Sequence, residues 1–597
     1  MSRSKPTVIQ VLLSLIGMLL IAAVIIFGAI YAIHYLNDAK LEESVAKPEY
    51  LMNSDELAEK AELEASAAAE SARAEAEARA EASGPVVYDF LPHAVESTEP
   101  SIYIASTAIY VDDEEVESYQ MKPVINMTDW ESYNQTDGIV TFRGNNFRNS
   151  PVVGNVSMTE PAFDEEKCWN SPTTFMETPD GSYWSGNGWT GQPLMRKWTE
   201  QEKSAMSNMY DSAKVKTDLV EVIYASLDGY VYFLDLETGE ATRDPLFIGY
   251  TFKGAGSLDP RGYPILYVGS GYESGDDGNS YIFIISLLDG SILYRYNGWD
   301  YDYEPRDVPY FDGSPLVCAE TDQLIYPGEN GIIYFFQLHT EYDPEAGTVS
   351  VNPDTPVRWT YRTVRDMWLG MEDSCVIYHH YLFVTDNGGT LFCLDLENLQ
   401  LVWAQDTLDD TNCTLVLEIE EDGKAYLYNS TSFHSGWRAQ EWESAVVPIW
   451  KFDAETGEII WQTDYDCYTV SQLSGGVLGT IAIGKDSLSD YIYVPVSRYP
   501  ETELGVLAAL RKDTGEVVWE YQTDYIWTSP VCVYDEAGRG YVLCANSVGT
   551  LALLDGLTGE VLDTIDLGSN VEASPAVYEN YLVVGTRGMQ IWGVTFK

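Results

Sequence analysis

The sequence predicts an all-β protein, an eight-bladed β-propeller of four-stranded antiparallel blades preceded by a transmembrane helix and a helical stalk. Three observations predict this organisation. A turn of the type Asp-x-x-Thr-Gly-Glu recurs between short apolar strands, a 26-residue apolar run stands near the N-terminus, and an Ala/Glu-rich stretch follows that run. A length of 597 residues suggests several domains, but a repeated unit can form one large ring instead.

Composition narrows the functions to consider. Hydrophobic residues make up 45% of the chain, which is enough for a large core. The 93 Asp and Glu against 34 Lys and Arg give a formal net charge of -59. Such a chain repels the phosphate backbone of nucleic acids, and it equally repels anionic lipid head groups. We therefore expect no nucleic-acid partner, and contact with anionic lipids only through the few basic residues at the N-terminus.

Residues 8–33 are expected to cross a membrane. Their only strongly polar members are Gln10 and Ser14. As a helix they span about 39 Å, more than the roughly 30 Å of a hydrocarbon core. The run is too long for the apolar stretch of a signal peptide, which is about 7–15 residues. Arg3 and Lys5 precede it, so residues 1–7 form a cytoplasmic tail and the remainder lies outside.

Two segments separate this helix from the repeats. Residues 34–83 form the stalk, because Ser54–Ser83 contains mainly strong helix formers and neither Gly nor Pro. An oligomerising coiled coil is the alternative, although only Leu57 and Leu63 are large and apolar there. Residues 84–160 form an irregular lead-in that packs on the main domain and contains two strand-like runs, Ser101–Val111 and Gly138–Phe142.

Residues 161–597 contain the repeats. The turns read DLETGE from Asp235, SLLDGS from Ser286, DPEAGT from Asp343, DLENLQ from Asp395, DAETGE from Asp453, KDTGE from Lys512 and DGLTGE from Asp555. The fifth turn position is glycine in six copies, and glycine supplies the positive φ that a tight hairpin needs. Leu399 breaks this pattern, so we expect a different turn there. Trp403, Trp461 and Trp519 follow their turns at matching offsets.

The end of the chain predicts the number of blades. Ser574–Val577, Tyr581–Gly585 and Gln590–Phe596 read as three strands of a last blade, and the fourth is missing. An open edge is a liability in β-proteins, so the fourth strand should come from the N-terminal side. Glu166–Trp169 has the appearance of such a strand. The count is then eight blades, or seven if one irregular unit is not a blade.

These residues resemble a known family. The runs YASLDGYVYFLDLETGE, VTDNGGTLFCLDLENLQLVW and NSVGTLALLDGLTGE are similar to the repeats of PQQ-like, quinoprotein-type eight-bladed propellers over about residues 165–597. The run TFRGNNFRNSPVVG at Thr141–Gly154 resembles the lead-in of membrane-anchored members from Gram-positive bacteria. The resemblance implies either a quinone-dependent dehydrogenase or a non-catalytic scaffold similar to the assembly protein BamB.

The cysteines favour the scaffold. Alcohol dehydrogenases of this family carry two adjacent cysteines beside the quinone, together with a calcium site and an Asp base. None of the eight cysteines of this chain is adjacent to another. Cys532 and Cys544 lie on the two strands of one hairpin, so a disulfide between them is one alternative and two separate thiols are the other. The acidic loop Glu273–Asn279 is a weak calcium candidate through Asp276, Asp277 and Asn279.

A ligand of a propeller binds at the mouth of the axial channel, beside the residues that precede each innermost strand. Tryptophans and carboxylates there suit a cationic peptide, a sugar or a cell-wall fragment, unless the tryptophans only fill the channel. The candidate funnel residues are Trp189, Gln192, Asp312, Trp368, Glu372, Asp373, Trp527, Thr528 and Glu572.

The sequence thus predicts an extracytoplasmic propeller anchored in the cell membrane of a Gram-positive bacterium. It would bind a protein or an envelope polymer as a scaffold, without a covalent step and without a required cofactor. The alternatives are a PQQ-dependent alcohol or sugar dehydrogenase and a glycan-binding surface sensor.

Overall fold

The computed structural model describes residues 90–597, except 180, 189–190, 273–277, 301, 435–437, 439–442 and 471–472. Within these residues, eight sheets of antiparallel strands follow one another along the chain, each built on four strands. The prediction of an all-β propeller with eight blades is confirmed. The expected transmembrane helix at 8–33 and stalk at 34–83 lie outside the described residues. In the described part, no helix has the length and apolar character needed to span a membrane.

We number the blades along the chain and give the strands of each from the axis outward. Blade 1 contains Leu194–Lys197, Val220–Ala225, Tyr230–Asp235 and Leu246–Phe247, and blade 2 contains Ser257–Leu258, Ile265–Gly269, Tyr281–Ser286 and Ile292–Asn297. Blade 3 contains Leu316–Cys318, Gln323–Pro327, Ile332–Gln337 and Val357–Thr363, and blade 4 contains Val376–Tyr378, Tyr381–Thr385, Thr390–Asp395 and Gln400–Asp406. Blade 5 contains Val416–Ile419, Ala425–Ser430, Ser444–Asp453 and Ile459–Tyr468, and blade 6 contains Ala482–Ile483, Tyr491–Ser497, Leu504–Arg511 and Val517–Asp524. Blade 7 contains Val531–Tyr534, Gly540–Ala545, Thr550–Asp555 and Val561–Asp566, and blade 8 contains Ala576–Tyr578, Tyr581–Thr586, Gln590–Thr595 and Trp169–Pro172.

Blade 8 combines three C-terminal strands with one strand from the N-terminal side of the ring. Its outer strand Trp169–Pro172 pairs antiparallel with Gln590–Thr595, and Trp169 lies opposite Gly593. Closure by an N-terminal strand is therefore confirmed. The strand begins at Trp169, where the sequence-based expectation ended it. Pairing leaves no open edge on the third strand of this blade.

Further elements decorate the ring. Blade 1 carries two short helices, Glu200–Ala205 and Asp211–Lys214, and the first begins with a capping box between Thr199 and Glu202. The turn from Asp343 is not the link between the third and fourth strands of blade 3, as the repeat predicted. It closes an inserted hairpin. The strands of this hairpin are Glu341–Asp343 and Thr348–Ser350, and a second hairpin pairs Phe175–Glu177 with Tyr183–Ser185. Ile104–Val111 and Glu114–Val116 extend blade 3, and Ser432–Phe433 and Gly475–Val477 extend blade 6. Two 3-10 helices are Pro100–Ile102 and Asp486–Leu488.

Four of the six turn glycines, Gly239, Gly457, Gly515 and Gly559, dock against a tryptophan of the preceding blade. A Cβ on Gly457 would lie 2.5 Å from Cε3 of Trp403, whose Nε1 donates to the carbonyl of Ala454 at 3.2 Å. The expectation of a different turn at Leu399 is wrong, since Leu399 adopts the same left-handed φ of 57°. Its side chain is buried, and Trp359 at the docking position has no acceptor for its Nε1 among the described residues.

The lead-in passes through the axis of the ring. We call Gly138–Val156 the axial segment, because it reaches the inner edge of every blade. Its guanidinium groups are fully enclosed: Arg148 donates to the carbonyls of Cys375 and Ser314, and Arg143 donates to that of Pro530. Its contacts with blades 1 to 8 in turn involve Arg196, Ser257, Ser314, Ile377, Leu417, Ile481, Asp535 and Val577.

The strand directions give the ring two different ends. At the funnel end lie the loops that connect one blade to the next and the loops between second and third strands. At the turn end lie the remaining hairpins, including the glycine turns. Thr98 reaches the turn end, where its hydroxyl donates to the carbonyl of Thr456 at 2.6 Å.

Candidate functional site

Four carboxylates converge at the funnel end of blades 3, 4 and 5. Asp312, Glu329 and Glu372 each place one oxygen within 4.8 Å of the others. Asp312 and Glu329 are buried, whereas Glu372 is partly exposed. Asp410, also buried, lies in the loop that leads to blade 5 and feels the charge of Glu372. We call these four residues the funnel carboxylates.

Fewer cations than carboxylates face this cluster. The Nζ of Lys253 lies 2.7 Å from Oδ2 of Asp312, and Nη1 of Arg306 lies 3.9 Å from Oε2 of Glu329. Asn412 donates its side-chain amide to Glu372 at 2.6 Å. Among the described residues, these four acids thus have two cations within 4 Å, and a low-dielectric surrounding strengthens the surplus negative potential.

Burial shifts the protonation of these groups. It raises the pKa of the Asp312 carboxyl to about 6, although the ammonium of Lys253 opposes the shift. Burial, followed by the charges of Asp312 and Glu372, raises the pKa of Glu329 well above its usual value. Burial and the charge of Glu372 do the same to the pKa of Asp410. Burial therefore favours the protonated form of these three carboxyl groups.

An aromatic rim borders the carboxylates. Trp368 has its ring 5.4 Å from the guanidinium of Arg306 and 5.1 Å from the ring of His434. Its φ of 51° is rare for a bulky residue, so the loop holds it in place at an energetic cost. Met367, next to Trp368 in the same loop, is 48% exposed and adds apolar surface to the rim.

Two funnel residues named from the sequence serve the ring itself. Gln192 is fully buried and accepts from the backbone N–H of Arg143 at 3.0 Å. Thr528 is also buried, and its hydroxyl donates to the carbonyl of Ala573 in the next blade at 2.6 Å. Both side chains therefore connect parts of the channel wall.

The remaining named residues lie apart from the cluster. Asp373 is buried and accepts from the hydroxyl of Thr385 at 2.5 Å. Trp527 is buried in the loop before blade 7. Glu572, before blade 8, accepts from Arg587 at 3.3 Å and from Asn570 at 2.8 Å. Of the sequence-named set, the structure brings together Asp312, Glu372 and the nearby rim residue Trp368.

Some of the expected site residues lie outside the described residues. These are Trp189 of the funnel, and Asp276 and Asp277 of the calcium candidate. Asn279 is described, and its side-chain oxygen accepts from Asn297 at 3.3 Å.

Sequence reasoning missed Glu329, Asp410 and Lys253. Lys253 and Asp410 precede the first strands of blades 2 and 5 but were not selected, whereas Glu329 lies in the loop between the second and third strands of blade 3, which was disregarded. That loop reaches the same end of the ring, and in blade 3 it reads Gly328-Glu329-Asn330-Gly331. The corresponding turn holds Asp386 in blade 4, so an acidic residue before the loop glycine was the available signal.

The chain was compared with known proteins. A family model described as "Outer membrane protein assembly factor BamB" matches residues 347–526 and 503–597. BamB from Moraxella catarrhalis is 15% identical, with a TM-score of 0.42 over 67% of this chain and 98% of that one. Quinohemoprotein alcohol dehydrogenase from Comamonas testosteroni is 12% identical, with a TM-score of 0.39 over 78% and 82%. The computationally designed Ika8 protein is 12% identical, with a TM-score of 0.38 over 63% and 93%. No curated protein matches the sequence. These identities are too low to transfer a function.

Proposed function

We propose that the protein is a binding scaffold whose funnel holds a basic segment of a partner protein. The observation that carries this proposal is the surplus of funnel carboxylates over cations. A lysine or arginine side chain entering beside Glu372 would balance that surplus, while the aliphatic parts of the segment pack on Met367 and Trp368. Binding needs no covalent step.

The funnel does not fit the quinone cofactor of the alternative function. Pyrroloquinoline quinone carries three carboxylates, so it needs cations around it. The two cations nearest the funnel carboxylates, Lys253 and Arg306, already face Asp312 and Glu329. All eight cysteines are free thiols, and Cys532 lies opposite Val542 rather than Cys544.

Peptide binding to matched variants tests the scaffold. An N-acetylated, dye-labelled lysine hexapeptide is titrated into the protein and into Glu372→Gln/Asp410→Asn. Removing one member of a desolvated charge pair costs about 2–5 kcal/mol. We therefore expect at least about tenfold weaker binding, since about 1.4 kcal/mol is one factor of ten.

The control is Glu516→Gln/Glu536→Gln, which removes the same charge from exposed positions at the turn end. We expect it to bind within about twofold of the parent, because exposed pairs contribute about 0–1 kcal/mol. Equal weakening by both variants would reduce the effect to net charge and contradict the proposal. Dye reduction with added quinone and calcium over alcohols and sugars checks the alternative, and turnover there would replace our choice.

We further propose that residues 8–33 anchor the protein in a bacterial membrane, with the propeller outside the cytoplasm. The support is the length and apolar character of the run together with Arg3 and Lys5 before it. The funnel would then meet partners outside the cell membrane.

A further inference from the structure

Several oxygens of the funnel carboxylates lack a hydrogen-bond donor. Among the described residues, no donor reaches Oδ1 of Asp312, Oε1 of Glu329 or Oδ1 of Asp410, although all three atoms are buried. An ionised carboxylate only accepts hydrogen bonds, so buried oxygens that face one another need a proton or a cation between them. Asp410 is 94% enclosed and belongs to a different blade from Asp312 and Glu329, which makes it an independent sign of the same need.

The neighbouring charged side chains that the structure describes do not donate a hydrogen bond to these three oxygens. Asp409 is taken by Arg438 at 2.6 Å, and the nearest nitrogen of His434 lies 3.9 Å from Asp410. Asp386 adds another acid, which accepts from the hydroxyl of Tyr361 at 3.0 Å. In the described part of the chain, the charged and titratable groups that face the cluster are Lys253, Arg306, Tyr326, Asp386, Asp409, His434 and Arg438.

We infer that the empty funnel stores at least one proton on its carboxylates and releases it when a basic side chain enters. This inference rests on the proposed function and adds the regulation of the same site. In the exchange, the O–H bond of a carboxyl group breaks, the proton passes to water, and the freed oxygen accepts an N–H of the incoming ammonium or guanidinium. Charge in the funnel is conserved, because one cation replaces one proton.

The exchange makes binding depend on pH with a definite sign. The ligand binds the deprotonated cluster, so protonation competes with it. Affinity therefore increases as pH rises, by up to about tenfold per pH unit for each proton released. The raised pKa of Asp312 puts this range at about pH 6, and burial shifts the pKa values of Glu329 and Asp410 in the same direction.

Calorimetry of the full-length protein with the acetylated lysine hexapeptide tests the exchange. Titrations at pH 6.5 in PIPES and in imidazole, both with a chelator of divalent cations, give the number of protons released from the buffer dependence of the binding enthalpy. The peptide keeps its charge throughout, since a lysine ammonium has a pKa of about 10.4. We expect release of at least half a proton per peptide and tenfold or greater tightening between pH 5.5 and 7.5.

Glu329→Gln keeps the shape of a buried carboxyl and removes its titration. We expect it to release at most half as many protons as the parent and to flatten the pH dependence, while Glu536→Gln at the turn end leaves both unchanged. Should Glu329→Gln fail to fold, Asp410→Asn takes its place. Binding that is independent of pH and releases no proton overturns the inference and leaves the proposed function standing. Absence of peptide binding at every pH overturns both.

Discussion

At the scale of single residues, the glycine turns are fixed by their contact with a tryptophan. Gly457 has a φ of 70° and leaves no room for a Cβ against Trp403. Leu399 shows that the backbone conformation alone does not demand glycine, because a leucine adopts it within the ring. What changes there is the docking, since Trp359 loses the hydrogen bond that Trp403 makes.

Gly457→Ala should destabilise the propeller by about 3 kcal/mol or more. The left-handed φ costs about 1–2 kcal/mol, and the clash with Trp403 adds about 1–3 kcal/mol of overpacking. Gly538→Ala is the matched control, because its φ is 81° and a Cβ added there would meet no atom within 4 Å. Urea midpoints measure both. Equal losses would show that the contact with Trp403 is irrelevant.

At the scale of elements, the axial segment is the part of the fold that was least predictable from the sequence. The sequence predicted a strand at Gly138–Phe142 and a resemblance at Thr141–Gly154, but neither indicated a path through the axis, since arginine normally stays exposed. Arg143 and Arg148 are buried because their donors meet carbonyls at the starts of the inner strands, where no neighbouring strand is available. Partners so distant along the chain are invisible to local patterns. The blades were predictable, because turn spacing and strand alternation are local properties.

Arg148→Met should cost the fold about 3 kcal/mol or more. The guanidinium donates four hydrogen bonds, and each bond from a charged group contributes about 1.5–3 kcal/mol. Burial of the methionine offsets part of the loss, and the carbonyls of Cys375 and Ser314 stay unpaired. Arg362→Met, at a surface pair with Asp366, should change the free energy of unfolding by less than about 1 kcal/mol. A similar urea midpoint for both variants would contradict a stabilising role for the axial segment.

At the scale of the whole molecule, the number of blades was predicted from the need to pair every strand edge. An unpaired edge at the end of the chain predicted a strand from the other end, and Trp169–Pro172 supplies it. The funnel was predicted less completely than the ring. Its residues come from two kinds of loop, and only the three-dimensional arrangement shows that Glu329 of one loop meets Asp312 and Glu372 of the others.

The anchored arrangement predicts a labelling pattern on intact bacterial cells that express the protein. A membrane-impermeant, amine-reactive biotin reagent should label the propeller, where Lys122 is exposed and the side chain of Lys167 is 69% exposed. Deletion of residues 8–33 should remove the protein from the membrane fraction. A cytoplasmic protein must stay unlabelled in the same cells. Labelling that requires lysis would place the propeller inside and contradict the proposed orientation.

The route of the chain through the axis also sets an order in time. The axial segment and Trp169 are synthesised before any complete blade, whereas Gly593, the partner of Trp169, follows roughly 420 residues later. At about 5–20 residues per second, that interval lasts about 20–80 s. During it, the buried arginines and the waiting edge strand have no final partners. The blades thus form around an axial segment that is synthesised before them, and the strand Gln590–Thr595 closes the ring when it pairs with Trp169–Pro172.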